Sequence, residues 1–189
     1  NQIQTHVVKK PEALNIVTQQ YNNKLAQINQ TPDATIEEKN TAIQQLNQNK
    51  QQALEALNQA QTNQEVDQVK DQAIQNIDAI QVNVVTKPDA RQALIDAKTD
   101  QERVINSTQD ATVEEKNAAL QKLEQIFNQA NASINQAQTN QKVEDVRQQA
   151  IDQINTTLPE TIVKNNARNN IETEAKPVSY THLRAHETK

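Results

Sequence analysis

Fourteen residues starting at Asp33, DATIEEKNTAIQQL, return with few changes as DATVEEKNAALQKL starting at Asp110. The same offset joins NQAQTNQ at Asn58 to NQAQTNQ at Asn135, and Lys10-Pro11 to Lys87-Pro88, with no gap between the anchors. A third copy is expected to open at Lys164, where Ala167-Arg168 answers Ala90-Arg91. The opening NQIQTHVV answers DAIQVNVV at Asp78, so residues 1–9 are expected to close a preceding copy. The reading is therefore one unit over residues 10–86, a second over 87–163, and the start of a third over 164–176. Repetition at this period reads as beads joined end to end, with contact between neighbours adding stability.

Each unit reads as three helices. Pro11 and Pro88 suit a first helical turn, where a missing N–H costs nothing. Leu14, Val17, Tyr21, Leu25 and Ile28 then follow at three- and four-residue steps, an amphipathic stripe that TPDAT interrupts. Thr35 and Glu38 make a capping box for a second helix, repeated by Thr112 and Glu115. Its stripe is Ile36, Ile43, Leu46, Ala53, Leu57 and Ala60, mirrored by Val113, Leu120, Leu123, Ala130, Ile134 and Ala137. Thr62 and Glu65 offer a box to a third helix, lost at Thr139 because Lys142 replaces the glutamate. Val66, Val69, Ala73, Ile77 and Ile80 line that helix, mirrored by Val143, Val146, Ala150 and Ile154. Val82 to Pro88 reads as an extended joint. The fold class is all-α: tandem antiparallel three-helix bundles in an elongated rod.

Composition narrows the function. The chain of 189 residues has no Gly, Cys, Met or Trp. Without glycine a phosphate-binding loop, a dinucleotide fingerprint and a nucleophile elbow are missing in their usual forms. With no glycine, asparagine is the expected residue wherever a helix end turns left-handed. Without cysteine there are no disulfides or thiolate metal sites. A net charge of −5 without a basic block, and only 2% aromatic residues, argue against nucleic acid. No run reaches the ~18 apolar residues of a membrane span, so no membrane contact is expected in this stretch.

The pattern VVxKPxA, DATxEEKNxA, NQAQTNQxV resembles the repeats of large staphylococcal cell-wall-anchored surface proteins, the domain of unknown function 1542 of SasC- and FmtB-type proteins. It is similar also to the three-helix modules of Ebh. The resemblance covers essentially residues 1–176. It implies a stalk at a Gram-positive cell wall, associated with adhesion, cell–cell aggregation and biofilm.

Several features look chemical. Leu158-Pro159-Glu160-Thr161 matches four residues of a sortase signal, but Ile162 stands where glycine is needed and no span follows; a proline-containing helix exit is the better reading. The pairs Glu37-Glu38 and Glu114-Glu115 fall in first helical turns, where the helix dipole favours acid, and adjacent helical residues do not face each other. Asp67, Asp71 and Asp78 read as a solvated face. Tyr21 reads as core with its hydroxyl at the edge, and its counterpart Lys98 is not expected to stack. His6 falls in a joint opposite Asn83.

His182 and His186 stand four apart, a metal-binding spacing. They lie in VSYTHLRAHET, eleven residues that match the translation of a transposase-based sequencing adapter. The helical periodicity and the Asn- and Gln-rich style both stop after Lys176. Residues 177–189 are accordingly read as adapter read-through rather than native sequence.

The functional expectation is a non-enzymatic stalk segment that projects a binding region from the wall, on the extracellular surface. No catalytic, cofactor-binding or metal-ligating residue is assigned, and no cofactor. The expected partners are neighbouring repeats of the same chain. The competing reading is a bundle that binds a host plasma or matrix protein, or another stalk on a neighbouring cell.

Overall fold

A computed structural model describes the backbone over residues 8–186 and side-chain surroundings over residues 8–175. His6 lies outside the described residues, as do the side chains of His182 and His186. Every described element is a helix: α1 (Lys10–Gln30), α2 (Ile36–Gln59), α3 (Asn63–Asp78), α4 (Thr86–Ser107), α5 (Val113–Gln136), α6 (Asn140–Thr156) and α7 (Ile162–His186). The expected tandem helical bundles are present, α1–α3 and α4–α6. Two compact units divide the chain. The first holds everything up to Asp89 together with Asn135–Val143, and the second holds Ala90–Ile134 and everything from Glu144 on.

In the first bundle α2 runs against α1. Lys39 Nζ donates to Asn29 O (2.8 Å) at one end and Lys10 Nζ to Asn58 O (2.7 Å) at the other. α3 runs with α1: Lys9 at the start of α1 pairs with Asp67, and Lys24 Nζ reaches Asp78 O (2.9 Å) further along. Ala13, Val17, Ile28, Ala42, Leu46, Ala53, Leu57, Val66, Ala73 and Ile77 form one buried cluster. Each fully buried Leu or Ile contributes about 1.5–3 kcal/mol, and the interleaved alanines let the helices approach closely.

The second bundle reuses that register. Ala90, Ala119, Ala130 and Ala150 are buried where Ala13, Ala42, Ala53 and Ala73 are, and Leu123 and Ile134 replace Leu46 and Leu57. Two stripe positions depart from expectation. Ile36 is 45% exposed and Val113 is 68% exposed, because the first residue of a helix sits beyond the first layer of the core. Ala42 and Ala119, one position before the expected Ile43 and Leu120, are buried as well; Ile43 packs half-buried against the core and Leu120 is half-buried.

Helix ends are satisfied without glycine. The turn after α1 has Asp33 at φ 61°, a left-handed residue that is aspartate rather than the expected asparagine. α1 and α2 exit through extended C-caps at Thr31 and Ala60, and α3 through a right-handed one at Ala79. Lysine ammonium groups from neighbouring helices bind terminal carbonyls, where a cation also complements the dipole. Lys87 Nζ holds Asn135 O (2.9 Å) and Lys116 Nζ holds Asn106 O (2.7 Å), repeating Lys10 and Lys39.

The links are short. Residues 79–85 join α3 to α4, and helix begins at Thr86, two residues ahead of Pro88, so the extended joint is shorter than expected. Residues 157–161 are the matching link and contain Leu158-Pro159-Glu160-Thr161. α7 continues through Pro177 to His186, so helix does not stop at Lys176. Backbone helicity follows local propensity, which Ala185, Leu183 and Arg184 supply regardless of origin.

Candidate functional site: a junction of helix N-termini

The first four N–H groups of an α-helix lack intrahelical partners, and its N-terminus carries positive partial charge. In the first compact unit three such ends, those of α2, α4 and α6, meet two adjacent carboxylates, Glu37 and Glu38. Thr35 caps α2: its hydroxyl accepts from Glu38 N (3.3 Å), and Glu38 returns the bond to Thr35 N (2.8 Å). The other oxygen of Glu38 accepts from Val85 N (3.0 Å), Thr86 N (2.8 Å) and Thr86 Oγ1 (2.8 Å). One side chain therefore closes the start of its own helix and the start of α4.

Glu37 points elsewhere. Its Oε2 accepts from Asn140 N (3.0 Å), the first residue of α6. Around it, Ile36 N donates to Gln138 O (2.8 Å) and Thr35 Oγ1 to Asn140 Oδ1 (2.6 Å), while Thr86 Oγ1, whose proton is on Glu38, lies 3.1 Å from the same oxygen. The α5–α6 corner is thereby seated on the start of α2. Thr35 is fully buried beneath it. Ala34, Ile36, Lys39, Lys87 and Gln138 line a hollow of about 370 Å³ beside this contact.

The charge state follows from the contacts. Burial disfavours the ionised form of Glu38, but the N–H groups of Thr86, Thr35 and Val85 and the Thr86 hydroxyl outweigh it and lower the pKa to about 2. A carboxylate so engaged holds helix ends together; it has no free oxygen poised for proton transfer near neutral pH. In the second unit Glu115 repeats the device. It closes the box with Thr112 N (2.7 Å) and accepts from Ile162 N (2.9 Å) and Val163 N (3.2 Å) at the start of α7. The Thr112 N–H, with those of Val163 and Ile162 and the Thr112 hydroxyl, lowers its pKa against a small burial penalty.

The sequence-predicted boxes at Thr35 and Thr112 are thus present. At Thr62 the hydroxyl accepts from Glu65 N (3.1 Å), but Glu65 reaches back to Gln61 N (2.6 Å). Thr139 keeps the hydroxyl half, accepting from Lys142 N (3.2 Å). What sequence reasoning missed is the long-range role of Glu37 and Glu38. The signal was available in their position: two acids at a helix start, next to a link that leads into another helix start.

Tyr21 packs against the core with its hydroxyl at the edge, as expected, whereas Lys98 departs from expectation. Tyr21 Oη donates to Asn47 Oδ1 (2.6 Å), and Lys50 Nζ stands over the Tyr21 ring at 4.1 Å. Lys98, the counterpart of Tyr21, does engage a ring: its Nζ lies 4.9 Å from the centroid of Phe127, the counterpart of Lys50. Lys98 also pairs with Glu124 (2.6 Å), the counterpart of Asn47. Asp67 stays on a solvated face, its side chain 40% exposed, and pairs there with Lys9 and Lys70. Among the described residues, no group of three or more His, Asp or Glu side chains could hold a metal ion. Among those residues, too, no helix is long and apolar enough to cross a membrane.

The family model described as Domain of Unknown Function (DUF1542) matches twice, over residues 9–85 and 86–162. The chain is 30% identical over 179 residues, 84% of its length, to the extracellular matrix-binding protein EbhA of Staphylococcus aureus strain Newman, of which it covers 5%. It is 32% identical over 140 residues, 71% of its length, to the extracellular matrix-binding protein ebh of strain MRSA252, of which it covers 1%. The chain thus spans a small part of these relatives. No solved structure matches it.

Proposed function

The chain belongs to the DUF1542 family, and on that premise we propose that it is a non-enzymatic stalk segment of a Gram-positive cell-surface adhesin, projecting a binding region from the wall in adhesion and biofilm growth. The observation that carries this reading is the junction. Glu38 ties the second helix of one bundle to the first helix of the next, and Glu115 ties the next in turn. A device repeated at each step serves propagation along an array better than recognition at one place. That the relatives are extracellular matrix-binding proteins supports a place on the outer surface. Residues 10–86 and 87–163 are the proposed units, with 164–176 opening a third and 177–189 set aside as adapter-derived. Long-read sequencing of the source gene tests that last point, and should run through Lys176 without the adapter codons.

Small-angle scattering on proteins carrying two, three and four units tests the stalk. The maximum dimension should rise by a constant increment per unit. Growth with the cube root of mass would refute the spacer role.

A second reading has one observation behind it. The α2–α3 face carries a hollow of about 390 Å³ lined by Ala53, Ala56, Val69 and Ala73 together with five Asn and Gln side chains, and the α5–α6 face has a smaller one of about 180 Å³ around Ala130, Ser133, Val146 and Ala150. Such a groove could receive an apolar helix of a matrix or plasma protein. Submicromolar binding of the chain to immobilised matrix protein, abolished by Ala56→Lys together with Ser133→Lys, would establish it.

A further inference from the structure

We infer that the end of the second bundle formed by Thr112, Val113 and Glu114 is a docking surface for the Gln-Thr-Asn corner of a following repeat of the same kind. The corner at Gln138–Asn140 is already seated on Thr35, Ile36 and Glu37, which are the counterparts of Thr112, Val113 and Glu114 in the preceding copy. The second set has the same chemistry: a cap threonine, an aliphatic residue with an orphan N–H, and a carboxylate.

Three differences mark it as the uncovered version. Thr35 is fully buried, whereas Thr112 is half-buried. Ile36 is 45% exposed, whereas Val113 is 68% exposed. Glu37 receives Asn140 N, whereas among the described residues Glu114 has no polar partner. Glu115 beside it already holds the start of α7, so the first of the two carboxylate contacts is in place and the second is open. The occupant that fits must bring a helix N-terminus for Glu114, a carbonyl for the Val113 N–H and a short amide side chain for the Thr112 hydroxyl. The Gln-Thr-Asn corner brings all three, at Gln61–Asn63 as at Gln138–Asn140.

This inference does not depend on the stalk reading, because its test reads docking alone. The full chain is compared with one in which a further copy of residues 87–163 follows Val163, by residue-resolved amide hydrogen exchange. In the unextended chain Ile36 N should exchange slowly and Val113 N fast. In the extended chain Val113 should slow by about tenfold or more, as expected when an orphan N–H gains a carbonyl partner. Asn→Ala at the added corner should reverse most of that gain, while Ile36 stays slow. Equal Val113 exchange in both chains, with Ile36 protected, overturns the inference. Protection of Val113 that appears in the unextended chain only on raising its concentration assigns the face to a second molecule and overturns docking within the chain.

Discussion

At one level of the first bundle a tyrosine on α1 lies beneath a lysine from α2. At the same level of the second bundle the lysine is on α4 and the ring on α5. Tyr21, Lys50 and Asn47 become Lys98, Phe127 and Glu124. Ring and ammonium have exchanged helices, and the third position changed with them: a neutral amide where it meets a phenol, a carboxylate where it meets an ammonium. In both bundles the pair spans the corresponding seam, α1–α2 or α4–α5, with the two halves supplied from opposite helices. A second exchange runs alongside. Lys24 and Ile80 become Gln101 and Thr157; Gln101 Nε2 donates to the main-chain Thr157 O (2.6 Å) and the Thr157 hydroxyl to Gln153 O (2.8 Å), so that both polar residues are buried with partners.

If the copies differ only by such compensated exchanges, positions alike in both should be interchangeable in energy, and the core tests this with the largest effect. Leu46→Ala and Leu123→Ala remove equivalent, fully buried side chains and should each cost about 2–5 kcal/mol in urea denaturation. Costs that differ by more than the spread between ordinary core sites would mean that the copies do not share one packing.

The junction carboxylates come next. Because the Glu38 pKa is lowered from 4.5 to about 2 in the folded chain, its contribution is complete above pH 4.5 and fades as pH falls toward 2. With the solvent-facing part of the side chain discounted, Glu38→Gln should cost about 1 kcal/mol near neutral pH and flatten the acid limb of a stability–pH curve. Glu115→Gln should shift the same limb in the same direction by less, since Glu115 has one fewer hydrogen bond from the following helix. An unchanged acid limb in the Glu38 variant would detach the carboxylate from the junction's stability.

The swap can be attacked directly. Lys98→Tyr combined with Phe127→Lys imports the first bundle's placement of ring and ammonium into the second, with Glu124 left where the first has Asn47. A double-mutant cycle should show the pair recovering about 0.5–1 kcal/mol relative to the summed single changes. Additive costs would make the correspondence a coincidence of alignment. The smallest effect lies at Thr139, where Lys142→Glu supplies the carboxylate that Glu65 supplies at Thr62; a gain of roughly 0.5 kcal/mol in thermal denaturation is expected.

How far these properties were legible depends on their range. Helical stripes, the Thr35 and Thr112 boxes and the α6–α7 link at Leu158–Thr161 are set within a few residues, and the sequence displays them. Ile36 and Val113 misled because periodicity assigns a face but not a depth, and both sit at the end of their helices. Lys98 misled because one half of a swapped pair was read without its partner, Phe127, which lies on the following helix. Glu37 and Glu38 carry local signals sufficient to explain them as dipole partners, which hid their contacts with α6 and α4. Asp33 met a turn that an asparagine was expected to fill, since both short polar side chains tolerate the left-handed region.

The spacing of Glu38 and Glu115 has a consequence for inheritance. Each copy carries a carboxylate that fits the next copy's beginning and a beginning that fits the previous copy's carboxylate. Unequal recombination that adds or removes whole copies leaves every such match intact. An insertion or deletion of another size within a copy strands a helix start without its acid. Gain or loss of a whole copy therefore leaves the remaining copies in frame with one another.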